Sequence, residues 1–479
     1  LVARPRRKLR GAKSAFRAGG APLPLAPAVR HDMPHAAEPE IEDSPDSDGR
    51  LVCVCGVSCG DHRAPFWLND AEAEKGVKAD DGVDYDSPSH RPENRAVGPF
   101  PGFQGLLSAM RGNRPLSALL VFVPLGFISH FAGWARWLVF LYNFVAILPM
   151  AWLIGKSTED LSVPCGDVLG GLLNATFGNV VEMLLCVAGI RQNELDVVQA
   201  TLVGSILSNL LLVMGTSFLW GGYWHHSQKF SKSSGSIQSS LLLLAVMGVV
   251  LPTMYASLVP GGSGLLNVSR GISVLMFFMY LQYLVFQLYT HAQIFQGSSD
   301  ADATDGTADD EDEEVDMTPV TAALVLAACT FMTAACSEYL IGSIKGTIDH
   351  WHVTKEFVGV IILPIIGNAA EHYSAIVVAG RKKMDLSLNI AVGSACQMAL
   401  LVTPFTVLAG WVMDTEMNLN FHPFQAAVLL LSVLVVANIL KDGDANWLEG
   451  SMLTSAYGVI AFIYFFDRAY LAGMLGKFD

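Results

Sequence analysis

Charge is scarce in this sequence. Only 15% of its 479 residues are Asp, Glu, Lys or Arg, against 52% hydrophobic residues, and the mean hydropathy is +0.41. That balance excludes a chain of two or three ordinary soluble domains, which the length alone would allow. Cysteine is sparse too. Of the eight, Cys165, Cys186, Cys329, Cys336 and Cys396 fall in or beside apolar runs, where a thiol packs as a small apolar group. Cys53, Cys55 and Cys59 are too few and too closely spaced for a zinc or redox site, so they read as part of a reduced cytosolic segment. HExxH is absent, and Gly155-Lys156-Ser157 is no phosphate loop, because position 150 is Met where the first glycine is required. No enzyme is expected. Residues 1–110 lack a sustained apolar period and cannot bury enough surface to offset ordering entropy; they are expected to form a disordered cytosolic tail. Its basic start (Arg4, Arg6, Arg7, Lys8, Arg10) is followed by no apolar core, which argues against a cleaved signal peptide.

What is abundant is long apolar runs, each able to cross a bilayer core of roughly 30 Å as a helix. Eleven spans are expected, at 116–132, 136–156, 166–190, 196–220, 237–256, 267–290, 318–345, 355–380, 386–412, 422–440 and 448–467. The net charge of −14 is concentrated elsewhere: residues 300–316, DADATDGTADDEDEEVD, interrupt the apolar pattern near its middle. That stretch lacks the ligand spacing of an EF-hand loop and reads as a solvated linker. With the N-terminal tail in the cytosol, basic residues at span ends divide nine to six in favour of the cytosolic side, mainly through Arg381, Lys382 and Lys383.

Two short blocks recur at one spacing. Residues 178–182 read GNVVE and 367–371 read GNAAE, while VGS occurs at 203–205 and 392–394; both shifts are 189. A weaker echo pairs Thr158-Glu159 with Ser337-Glu338 at a shift of 179. The two GNxxE blocks lie five crossings apart, so the halves run in opposite directions through the membrane. The fold expected is therefore an all-α integral membrane protein of eleven transmembrane helices. One extra N-terminal helix (111–135) precedes two inverted five-helix repeats (136–291 and 318–479) joined by an acidic cytosolic linker (292–317). Inverted repeats with sites at their interface are a common architecture of secondary transporters.

Glu182 and Glu371 lie inside apolar spans, where a carboxylate costs about 2.5–3.5 kcal/mol on insertion scales. No basic residue is available in the interior of either span to pair with them. Asn179 and Asn368 precede them by three positions and so share their helix face, and Gly178, Gly367 and Pro364 weaken the helices there. Two carboxylates, two amides and the carbonyls near Gly178 and Gly367 approach the six to eight oxygens that Ca2+ takes. Ser205, Ser208 and Asn209 in one half, with Ser394 and Gln397 in the other, are further candidate ligands or simply helix-packing polar groups. Two close carboxylates in a low-dielectric site do not both stay ionised when empty; they hold one divalent cation or about two protons. His372 is a candidate in proton handling. Glu159 and Glu338, near span ends, are candidate entrance carboxylates.

The blocks GGLLNATFGNVVEMLL (170–185), LVGSILSNLLLVMG (202–215), LPIIGNAAEHYSAI (363–376), VGSACQMALLVTP (392–404) and DGDANWLEG (442–450) resemble the cation/proton exchanger family, the vacuolar Ca2+/H+ antiporters of fungi and plants and their bacterial relatives. The similarity covers about residues 110–467. It implies Ca2+ uptake, and Mn2+ in many members, into an acidic vacuole in exchange for protons, around glutamates matching Glu182 and Glu371. The expected partners are the lipid bilayer and the transported metal ions, with no cofactor and no nucleic acid, and with a homo-oligomer left open. A Na+/Ca2+ exchanger of the same superfamily and a passive cation channel are the alternatives.

Overall fold

The computed structural model of the chain describes residues 101–259, 264–295 and 316–475. Nearly all of them are helical. In chain order the helices are α1 Pro101–Gly112, α2 Arg114–Phe131, α3 Arg136–Cys165, α4 Leu169–Phe177, α5 Val180–Arg191, α6 Leu195–Trp224, α7 Lys232–Leu258, α8 Leu265–Thr290, α9 Pro319–Trp351, α10 Lys355–Gly367, α11 Ala369–Gly380, α12 Met384–Val412, α13 Pro423–Ile439 and α14 Trp447–Phe466. Eight of these are long and apolar enough to cross a membrane. The pairs α4–α5 and α10–α11, bent by 44° and 59°, raise the number to ten if each is one span. A two-residue strand pairing, Gln228–Lys229 with Asp444–Ala445, is antiparallel.

Two helices form the centre. In α6, 89% of the most apolar window is buried and in α12, 83%, whereas α7, α8, α9 and α14 bury about a third or less. A helix apolar all round belongs inside, and α6 achieves close contact through its glycine: a Cβ on Gly204 would overlap the Val360 carbonyl of α10 and come within 2.7 Å of Pro364 Cγ. The outer helices expose Leu275, Phe278, Leu324, Phe331, Leu431 and Phe462, a belt of large apolar groups suited to lipid.

Two expectations from the sequence shift at their edges. Residues 101–110 are not tail but open helix α1, because Phe103, Leu106, Leu107 and Met110 recur at helical spacing. Helix α3 runs on past 156 to Cys165. Its polar end is stabilised by ion pairs, since Lys156 Nζ lies 3.0 Å from Asp160 and 3.1 Å from Asp316, just before α9, and Asp160 accepts the Met317 amide at 3.0 Å. Helices α3 and α9 lie antiparallel, with Trp137 stacked on His350 at their other ends. The CVCGVSC segment and all of the acidic stretch but Asp316 lie outside the described residues.

On the face opposite Lys156, the α5–α6 corner clamps onto α9 and α10. Glu194, 7% exposed, meets Lys345 Nζ at 2.7 Å through one oxygen and Lys355 Nζ at 2.8 Å through the other. Burial works against ionisation of Glu194, but the two ammonium groups outweigh it and hold its carboxyl below the usual range. Such a depressed carboxyl stabilises the fold fully above the unfolded carboxyl range, roughly pH 4.3, and the contribution fades as pH falls through the lower folded value. Glu194→Gln is therefore expected to lower the unfolding temperature at pH 7 by on the order of 5 °C. Unfolding scans from pH 7 to pH 3 should show the two proteins converging; a gap independent of pH would contradict this role.

Candidate metal centre

The bends in the two broken helix pairs fall at the Gly-Asn steps. Asn179 (φ −107, ψ 14) and Asn368 (φ −89, ψ 12) sit in the bridge region between α and β conformations, where Asn is well tolerated and a helix loses its register. Each break starts a new half-helix, and the glutamate lies in its first turn: Glu182 in α5 and Glu371 in α11. The unpaired amides and positive dipole end of a helix favour negative charge there.

These half-helices bring the predicted residues together. Glu182, 1% exposed, reaches from α5 to the opposite break, where a Cβ on Gly367 would stand 2.7 Å from its Oε1. Glu371 lines a cavity of about 280 Å³ with Gly178, Val181, Gly367, Ser394 and Gln397. Asn179 Nδ2 donates to Gln397 Oε1 at 2.6 Å. Asn209 Nδ2 donates to Asn368 Oδ1 at 3.3 Å and to Ser394 Oγ at 2.9 Å, and Asn368 Nδ2 donates to the Ser205 carbonyl at 3.2 Å.

On these residues five buried oxygens receive no protein donor: Glu182 Oε2, Glu371 Oε2, Asn179 Oδ1, Asn209 Oδ1 and Ser205 Oγ. Buried acceptors are ordinarily satisfied, so five unsatisfied ones on residues linked through the two helix breaks are suited to a cation. Among the described residues no group of three or more His, Cys, Asp or Glu side chains is placed to hold a metal. A divalent ion here would thus be balanced by two carboxylates, with neutral amide and carbonyl oxygens completing its shell, the ligand chemistry of a hard cation rather than of a thiolate or imidazole site.

The other candidates separate. Glu159 is exposed and lines the same cavity as Glu371. Glu338 lies on the far side, where its carbonyl and Oε1 accept from Gln192 Nε2 at 2.6 and 3.3 Å and its Oε2 is 3.8 Å from Arg191 Nε. The imidazole of His372 points at α6, with Nε2 2.8 Å from Thr216 Oγ1. Asn389 also lines the cavity and is held by Ser234, Gln238 and the Phe295 carbonyl. Comparing the halves could not find it, since its counterpart at the 189 shift is Ala200.

Residues 135–289 and 321–466 match the sodium/calcium exchanger protein family. The chain is 42% identical over 357 residues to vacuolar cation/proton exchanger 3 of Oryza sativa subsp. japonica, covering 73% of this chain and 85% of that protein. It is 39% identical over 359 residues to a Ca(2+)/H(+) antiporter of Synechocystis, covering 73% and 96%. Among solved structures, native YfkE superposes with a TM-score of 0.63 at 34% identity, covering 73% of this chain and 99% of that one.

Proposed function

This chain belongs to the sodium/calcium exchanger protein family, and from that premise we propose that it is a secondary active antiporter that exchanges Ca2+ for H+. The observation that carries the reading is the pair of glutamates, Glu182 and Glu371, each in the first turn after a helix break and each with a buried carboxylate oxygen that no protein donor reaches. They hold Ca2+ or protons, and the doubly charged empty form does not cross. Relatives named as vacuolar exchangers and as Ca2+/H+ antiporters favour protons over Na+ as the counter-ion and the vacuolar membrane as the location. Mn2+ is a further substrate in this reading, since the hard oxygen ligands suit it as well.

The architecture we propose has eleven spans, counting α2, each bent pair once and the short α13, arranged as one helix and two inverted repeats. The corners that follow the two glutamate helices support it: Asn193 and Lys382, 189 residues apart, both take positive φ, 54° and 68°. Counterparts at that same shift are also packed unequally, as alternating access requires. Gly204 is pressed against α10, but a Cβ on Gly393 would meet nothing within 4 Å; Gly367 is packed on Glu182, but Gly178 is exposed beside the cavity. The cavity between α4 and α12 is therefore the open path, and the equivalent crevice between α10 and α6 is the closed one. The open path leads to the face bearing Lys156, Arg381 and Asp316, and the basic residues at span ends favour the cytosol for that face.

Proteoliposomes loaded at acidic pH test the function. Uptake of 45Ca2+ should require the pH gradient, disappear when an ionophore collapses it, and be indifferent to Na+. Uptake driven by Na+ would support the Na+/Ca2+ alternative, and equilibration without accumulation would support a channel.

A further inference from the structure

The asparagines at the two helix breaks are each gripped by an amide from the other half of the chain, and in opposite senses. Asn179 is the donor in its contact. One Nδ2 hydrogen goes to the Ala175 carbonyl at 3.2 Å within its own segment and the other to Gln397 Oε1 at 2.6 Å, which leaves Asn179 Oδ1 buried without a donor. Asn368 is the acceptor in its contact, its Oδ1 occupied by Asn209 Nδ2 and its Nδ2 by the Ser205 carbonyl. A repeat would be expected to copy the arrangement, and the sequence prevents it. The counterpart of Gln397 at the 189 shift is Ser208, and the counterpart of Asn209 is Met398, so neither clasp has a twin.

An asparagine amide offers an oxygen on one side and two hydrogens on the other, and a half-turn exchanges them. If Asn179 turned over, its oxygen would face the Ala175 carbonyl and Gln397 Oε1, an arrangement of acceptors with no hydrogen between them. Its NH2 group would then face the carboxylate cluster and oppose a cation. With one acceptor on Ala175 and a second on Gln397, only one orientation is satisfied. Gln397 Oε1 is itself engaged at 2.6 Å, so a cation at about 2.3–2.6 Å from that oxygen would crowd the Asn179 amide hydrogens.

We propose that Gln397 is a positioning residue rather than a ligand: it locks the Asn179 amide so that Asn179 Oδ1 is presented to the transported cation, while Asn368, capped by Asn209, withholds its oxygen in the cytosol-open state. This rests on the exchanger reading above. The site is then chemically lopsided, with one asparagine committed to the cation and its counterpart committed to the protein.

The test is 45Ca2+ uptake at a fixed pH gradient in wild type, Gln397→Leu, Asn179→Asp and the double variant. Leucine removes the acceptor, so the KM for Ca2+ should rise about tenfold with kcat changed less than about twofold. An aspartate at 179 presents an oxygen to the cation whichever way it is turned, while its other oxygen faces Gln397 Oε1 with no hydrogen between them. Adding Gln397→Leu to Asn179→Asp should therefore not raise KM. Equal increases in both backgrounds would mean that Gln397 binds the cation directly, and no increase in the wild-type background would mean that it does neither; each overturns the proposal. If Gln397→Leu does not purify as a single species, Gln397→Ala carries the same cycle. Wild type unable to accumulate Ca2+ would count against the exchanger reading, whereas an active wild type with additive substitutions counts against this inference alone.

Discussion

Glu182→Gln and Glu371→Gln are each expected to reduce pH-gradient-driven Ca2+ uptake by about 100-fold or more, because removing one member of a buried charge pairing costs on the order of 3–5 kcal/mol. Glutamine keeps the size and one oxygen of glutamate, so the packing of Gly367 against position 182 and the place of position 371 in the cavity wall should persist. What is lost is a negative charge where no other acidic side chain completes a cluster among the described residues. A divalent cation would then sit with net positive charge in a low-dielectric site, and the proton for which it exchanges would have one fewer acceptor. The check is 45Ca2+ uptake alongside size-exclusion profiles showing that both variants remain folded. Either variant retaining wild-type uptake would remove its glutamate from the site.

A second large effect is expected at Gly393. Its Cβ position opens onto nothing within 4 Å, although the residue is buried on α12, one position from Ser394 of the cavity wall. Its counterpart Gly204 is pressed against the α10 backbone. Closing the open path by the same contact would bring α4 onto Gly393, where any side chain larger than hydrogen obstructs it. Gly393→Val should therefore fold and bind Ca2+ within about threefold of wild type, because overpacking penalties of about 1–3 kcal/mol fall on the closed state alone. Turnover should fall about tenfold or more. Equilibrium 45Ca2+ binding and uptake on the same preparation separate the two effects; binding and uptake lost together would show that Gly393 matters for folding or for the site instead.

The parts legible in the sequence are those that follow from local chemistry. Apolar run length locates the membrane helices, and the Gly-Asn steps locate the bends, because glycine and asparagine are what a chain uses to leave helical geometry and Glu182 and Glu371 are out of place in hydrocarbon. Helix α1 is missed because its apolar spacing covers only Phe103 to Met110, within a segment otherwise rich in Pro, Gly and charge. The continuation of α3 past Lys156 is missed because hydropathy counts Lys156 and Asp160 as separate charges, whereas one helical turn pairs them. Which of Gly204 and Gly393 is pressed against a neighbouring helix is not written in the sequence, since both positions carry the glycine that close approach requires. The orientation of His372 toward Thr216 and the opposed senses of the Gln397 and Asn209 clasps depend on helices more than 150 residues apart and have no local signature.

Counting protons against calcium reaches the core of the account. Isothermal titration of the purified protein with CaCl2, in two buffers of different ionisation enthalpy, gives the number of protons released per ion bound. The exchange of one cation for the protons on Glu182 and Glu371 predicts about two released at mildly acidic pH, falling by about one in each single Gln variant, with Ca2+ affinity rising as pH rises. Binding that releases no protons and is equally tight at every pH would show that these carboxylates do not trade the metal for hydrogen ions.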